Sequence, residues 1–301
     1  MEHGDNGFQV TPWSLEILYS LNPMRERGLH TIFEGYIDES FGPRYFSLTC
    51  LFAKGINWRW VVKDWEDVMD EKNRELSAAK RKELTRFHAA ECSSRRGEFA
   101  GWTVPEQTGF MKKLLGTMGK PASNVNHIAF ALDLNELQEV IPETARDPLG
   151  FAYGLLIKMS MLEIGAGFGE ANENTERIRM TLIQDRNSYP GACLSAFEAM
   201  KEDTTFKHRH IFTTLAPIAW EDCPILQPCD LIAFEAYKEA ERQGVRPHMD
   251  MRKSLAFLLS DQSYFRGRSK GFNRENLEEL KALIDRKTAT IINAEADSRG
   301  D

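Results

Sequence analysis

Two adjacent acids, Asp38 and Glu39, close an apolar and aromatic run in Gly35-Tyr36-Ile37-Asp38-Glu39-Ser40, directly before a turn. A second aspartate, Asp185, closes Leu182-Ile183-Gln184-Asp185-Arg186, and a third, Asp230, stands in Gln227-Pro228-Cys229-Asp230-Leu231. Glu91 lies in Phe87-His88-Ala89-Ala90-Glu91. Hard cations such as Mg²⁺ or Mn²⁺ take oxygen ligands, usually one or two carboxylates each with water and substrate phosphate. Two such ions about 4 Å apart activate a water and stabilise the leaving oxygen in phosphodiester cleavage. That chemistry needs three or four carboxylates from different elements. Asp38, Asp185, Asp230 and Glu91 are therefore the candidate catalytic and metal-ligating residues. Glu39, His88 and Gln227 are supporting candidates, and Arg95, Arg96 and Arg186 could hold a phosphate backbone.

Each has an ordinary structural reading beside the chemical one. A strand-end aspartate also serves as a turn or cap residue, and Asp230 in a first helical turn suits the helix dipole with no metal. His88 and Glu91, three apart on a helix, make an exposed polar pair as readily as a ligand and its neighbour. The basic clusters Lys80-Arg81-Lys82, Arg95-Arg96 and Arg266-Gly267-Arg268-Ser269-Lys270 are solvated faces unless they line one side of the site.

The elements that must position these residues follow from periodicity. Strands are expected over 31–38 and 45–54, joined by Ser40-Phe41-Gly42-Pro43 as a hairpin. Helical spacing covers 58–86 and 104–118, and a strand covers 125–134. Then come a helix at 148–164, a strand at 177–184, a helix at 190–200, a strand at 208–215 and a helix at 228–243 stopped by Gly244. A short helix at 11–22 precedes all of these, and one over 276–293 ends the chain. Gly165 to Gly169 follow a helix rather than a strand, the wrong context for a dinucleotide loop, and read as a cap and turn. The order β-β-(helical insert)-β-α-β-α-β-α predicts a five-stranded mixed sheet with helices on both faces. The expected organisation is an extension over 1–30, the α/β domain over 31–243 with its insert at about 58–120, and a helical tail over 244–301.

Composition narrows the class. With 301 residues, 42% hydrophobic and 28% charged, the chain suits a globular fold and excludes collagen-like, low-complexity and disordered ones. The apolar run from 151 to 162 is broken by Lys158 and Glu163, short of a membrane span. The acidic, polar start is no signal peptide, and five cysteines without a CxxC pair argue for a reducing cytoplasm. A net charge of −7 disfavours broad non-specific coating of nucleic acid, which rests on Lys and Arg. It is compatible with an acidic metal site acting on a limited substrate segment.

Together, Asp38-Glu39, Phe87-His88-Ala89-Ala90-Glu91, the strand ending in Asp185-Arg186, and Gln227-Pro228-Cys229-Asp230 resemble the family called domain of unknown function thirty-eight hundred. The likeness covers roughly residues 31 to 243, and Pro228 departs from it where that family more often has an apolar residue. The resemblance implies a ribonuclease H-like fold, with Asp38, Asp185 and Asp230 at its first-strand, fourth-strand and final-helix acid positions and Glu91 a possible fourth. It implies a Mg²⁺- or Mn²⁺-dependent nuclease acting on DNA or RNA. A catalytically silent binding module and a metal-dependent phosphoesterase acting on small nucleotides remain the alternatives.

Overall fold

The computed structural model describes residues 30–171, 174–186, 189–260 and 266–298. The helix expected over 11–22 lies outside them. The chain opens with an antiparallel hairpin, β1 (Thr31–Phe41) and β2 (Tyr45–Lys54), closed by Gly42 N–H donating to Tyr45 O at 3.0 Å. The insert follows as α1 (Gly55–Ala78), α2 (Ala89–Ser94) and α3 (Val104–Met118). Then come β3 (Asn126–Asp133), α4 (Leu134–Val140), α5 (Pro148–Glu170), β4 (Ile178–Asp185), α6 (Pro190–Glu202) and β5 (Phe212–Ile218). The chain finishes with α7 (Leu226–Val245), α8 (Lys253–Ser260), β6 (Arg266–Phe272) and α9 (Arg274–Ser298).

The result is an α/β fold on one mixed sheet, ordered β5-β4-β1-β2-β3-β6. Only β2 runs antiparallel to its neighbours; β1–β4, β4–β5 and β3–β6 are parallel. Alternation along each strand divides the core between the two faces. Phe33, Ile37, Phe46, Leu48 and Met180 face α5 and α6, whereas Tyr36, Tyr45, Leu51 and Ile183 face α7 and the insert. Helix α7 sits close to the sheet because its inner residues are small. Cys229 Sγ lies 3.0 Å from Tyr36 O, and Ser47 Oγ of β2 donates to Ala233 O at 2.8 Å. Trp58 Nε1 donates to Glu34 O at 3.2 Å, fastening the insert to β1. Helix α3 starts with a complete capping box between Thr103 and Glu106.

Several expectations need correction. Among the described residues the sheet has six strands, not five: the basic run Arg266 to Lys270 forms the edge strand β6 against β3. The segment from 244 onward is therefore no simple helical tail, since Phe272 and Leu277 join the α5-side core. Edge position explains the miss, because an outer strand keeps polar and charged side chains. Strand β5 starts at Phe212, and His208 lies in the turn before it. Glycines 165 to 169 are inside α5 rather than capping it; a Cβ at Gly165 would stand 2.8 Å from His208 Cβ, so the bare backbone lets that turn approach. With those residues α5 reaches 23 residues, enough in length and composition to cross a membrane, although 56% of its apolar window is buried in the protein.

The parallel pairing of β1 and β4 depends on Gly35, where a Cβ would lie 2.7 Å from Leu182 Cδ2 and 3.3 Å from Cys50 Sγ. Gly35→Ala should destabilise the protein by about 1–3 kcal/mol through overpacking, read as a lower urea midpoint with an unchanged slope.

Candidate active site

Strands β1 and β4 stay in register through Ile37 and Gln184, so the next residues on these neighbouring strands are Asp38 and Asp185. Parallel neighbours lie about 4.8 Å apart, and in-register side chains share a face. Tyr36 and Ile183, one alternation earlier, both belong to the core beneath α7. The two aspartates therefore point to the α7 side, where Asp230 meets them. Glu39 alternates to the α5 side, where the Tyr153 hydroxyl faces it. Asp38, Glu39, Asp185 and Asp230 line one cleft of about 280 Å³, with Arg86, His88, Trp220 and Gln227 around it.

The Gln-x-x-Asp segment acts as a clamp. Helix α7 begins at Leu226, two residues earlier than expected, so Pro228 falls in the first turn, where a missing N–H breaks no helical bond. Asp230 then lies beyond that turn and is not a helix-start acid. Its Oδ2 accepts from Ala89 N–H at 2.7 Å, while Gln227 Oε1, one turn earlier, accepts from Phe87 N–H at 2.8 Å and Trp65 Nε1 at 3.4 Å. Two side chains on one helix face thus hold the extended 87–89 segment over the strand ends.

Charge in the cleft is poorly balanced. Burial raises Asp38 well above the usual carboxylate range, reinforced by Glu39, Asp230 and Asp185 and opposed by the Glu39 N–H it accepts at 2.9 Å. Burial likewise pushes Glu39 up to about 7, with Asp185 adding to the rise and Tyr153 opposing it. Asp230 rises to about 6 for the same first reason, held down by His88, the Ala89 N–H and Arg86. Asp185 is also raised, by burial and then Glu221, against the backbone N–H groups of Arg186 and Trp220. Arg86, whose guanidinium stacks 4.1 Å from the Trp220 ring, is the fixed cation of this lining.

The remaining candidates separate. Glu91 is outside the cleft lining, at 3.8 Å from both Arg86 and His88 and folded against Gly97. Arg95 takes the left-handed turn that ends α2 (φ 54°) and lines a different concavity. Arg96 and Arg186 are exposed and outside the cleft lining, and Arg186 N–H donates to Ile218 O at 3.0 Å.

No family model, curated protein or solved structure matches this chain. What the cleft can do rests on its own residues. Its donors are carboxylate oxygens, the chemistry a hard divalent cation takes. Among the described residues, however, no group of three or more His, Cys, Asp or Glu is placed to hold a metal ion as it stands. The three aspartates share a cleft without closing into a coordination shell. Arg86 and Trp220 were missed in the sequence. Trp220 follows β5 at the same strand ends that singled out Asp185, so the rule that ligands gather there would have found it.

Two outcomes follow. Gln227→Leu should cost about 1–3 kcal/mol by leaving the Phe87 N–H without its acceptor, whereas Gln227→Glu keeps an acceptor oxygen; urea unfolding compares them. In EDTA, acids raised in the folded state add stability below their unfolded pKa and lose it as pH rises through the folded value. Stability should therefore fall between about pH 4 and pH 7, the span from ordinary carboxylate values to those of Asp230 and Glu39. Asp38→Asn should flatten that fall in pH-dependent melting.

Proposed function

We propose that this chain is a divalent-metal-dependent nuclease of ribonuclease H-like fold, hydrolysing phosphodiester bonds of DNA or RNA. One observation carries the reading: Asp38 and Asp185 follow the last paired residues of adjacent parallel strands, face Asp230, and are all held above their ordinary pKa by burial and mutual repulsion. Buried like charges with one arginine beside them are relieved by a bound metal ion. The element order β-β-(insert)-β-α-β-α-β-α supports the superfamily assignment, with β6 an addition beyond it. On this reading Asp38-Glu39 and Gln227-Pro228-Cys229-Asp230 are the two motifs of the domain of unknown function thirty-eight hundred.

Mg²⁺ or Mn²⁺, when bound, would supply Lewis acidity toward a phosphate oxygen and lower the pKa of a bound water. Asp38, Asp185 and Asp230 would hold it. Glu91 drops out of the ligand set because it faces Arg86 and Gly97 instead. Arg86, kept in place by stacking on Trp220, offers its guanidinium to a substrate phosphate within the cleft. Gln227 keeps the 87–89 segment in position through its side-chain oxygen. The lack of a preformed coordination shell favours the rival reading, a catalytically silent module of the same fold.

The experiment that separates them follows Mg²⁺- and Mn²⁺-dependent hydrolysis of labelled DNA, labelled RNA and bis(p-nitrophenyl) phosphate. Wild type should turn over at least one of them, and Asp38→Asn and Asp185→Asn should each lower the rate by at least about a hundredfold, the several kcal/mol expected of a lost metal site. Hydrolysis by Asp38→Asn at the wild-type rate would falsify the nuclease reading.

A further inference from the structure

Beyond α2 from the acidic cleft lies a larger concavity, of about 670 Å³, between the starts of α3 and α8. It is lined by Arg95, Lys112, Arg252 and Lys253, and among the described residues no carboxylate lines it. Arg252 is already neutralised by the fully buried Glu235, at 3.1 Å. Arg95, Lys112 and Lys253 enter no ion pair among the described residues, so three positive charges remain uncompensated there. Lys112 also leans 5.8 Å from the Phe257 ring, which sets its ammonium at the wall of the concavity. One helix start adds to this field. Lys253 and Ser254 open α8 and line the space, whereas the start of α3 is already closed by its Thr103–Glu106 capping box. Helix starts carry partial positive charge and free N–H groups. In a chain of net charge −7, such a surface marks a place for a polyanion.

Its position names the polyanion. Ala90 lines the acidic cleft and Ser93 and Arg95 line the basic concavity, so the six-residue α2 is the ridge between them. Five residues of helix span roughly 8 Å, about two phosphates of a strand at 3.4 Å rise each. We infer that this concavity holds the phosphate backbone of a nucleic-acid strand two or so nucleotides from the bond placed in the acidic cleft. The inference rests on the nuclease reading for its direction. It makes the substrate a polymer rather than a mononucleotide, because a mononucleotide in the cleft does not reach across α2.

The test reads binding without turnover. Fluorescence anisotropy of labelled 20-mer DNA and RNA is followed in EDTA across a range of salt. The triple variant Arg95→Asn, Lys112→Gln, Lys253→Gln is compared with Lys158→Gln, Lys207→Gln, Lys270→Gln, which removes equal charge elsewhere. The groove variant should bind at least about tenfold more weakly, with the slope of log K against log salt shallower by roughly 2, from three lost contacts at about 0.7 each. The remote variant should stay within about twofold of wild type, and both should melt like wild type. The relative loss on DNA and on RNA shows which strand the groove prefers. Equal affinity and slope for the groove variant, no binding by wild type, or displacement of the oligonucleotide by poly-glutamate at matched charge would overturn the proposal. A chain that hydrolyses no diester with Mg²⁺ or Mn²⁺ overturns the catalytic reading alone, since strand binding is read without metal.

Discussion

Everything at this site depends on the in-register parallel pairing of β1 with β4. Because the ladder runs through Ile37 and Gln184, the two residues that escape it together are aspartates, side by side and on one face. A shift by a single residue would turn one of them to the opposite face and separate the pair. Gly35 permits the strand approach, and α7 seals the face through Cys229 and Ala233. Asp230 is then delivered opposite the pair by the same helix that closes the core. The cost is electrostatic: four carboxylates are held in one partly buried place where each is harder to ionise than in water. An arrangement this unfavourable calls for a positive partner, and Arg86 supplies only part of it.

The helical insert does more than decorate the hairpin. Trp65, Phe87, Phe99, Trp102 and Phe110 pack edge to face in a chain of rings, which makes the insert rigid up to the 86–89 segment. That segment is pinned from below by Gln227 and Asp230. Asp230 is thereby tied to the Ala89 N–H, and on the proposed reading would also hold a cation in the cleft. The same segment carries Arg86, so the insert brings to the acids a positive charge that the sheet strands do not supply.

Much of this was legible in the sequence. Strand alternation and flanking turns located the hairpin and Asp38, and apolar strands ending in acid located Asp185. What escaped has common physical causes. β6 reads as a solvated charge run because an edge strand needs no apolar face, and the glycine-rich end of α5 reads as a cap although Gly165 and Gly169 there lie inside the helix and admit His208. Glu91 was drawn into the site by its sequence neighbours, but the left-handed turn at Arg95 and the bare Gly97 let it fold outward. Gln227 was expected to support the site, and the Phe87 N–H it accepts shows the clamp by which it holds the neighbouring segment.

The central claim is that the three aspartates are a cation site awaiting its ion. The most direct measurement is anomalous scattering from crystals grown with Mn²⁺ near pH 7.5. The account predicts a peak in the cleft with oxygens of Asp38 and at least one of Asp185 and Asp230 at roughly 2.1 Å, and its loss in Asp38→Asn crystals. A clean map at full Mn²⁺ occupancy elsewhere in the lattice, with the carboxylates unmoved, would contradict it.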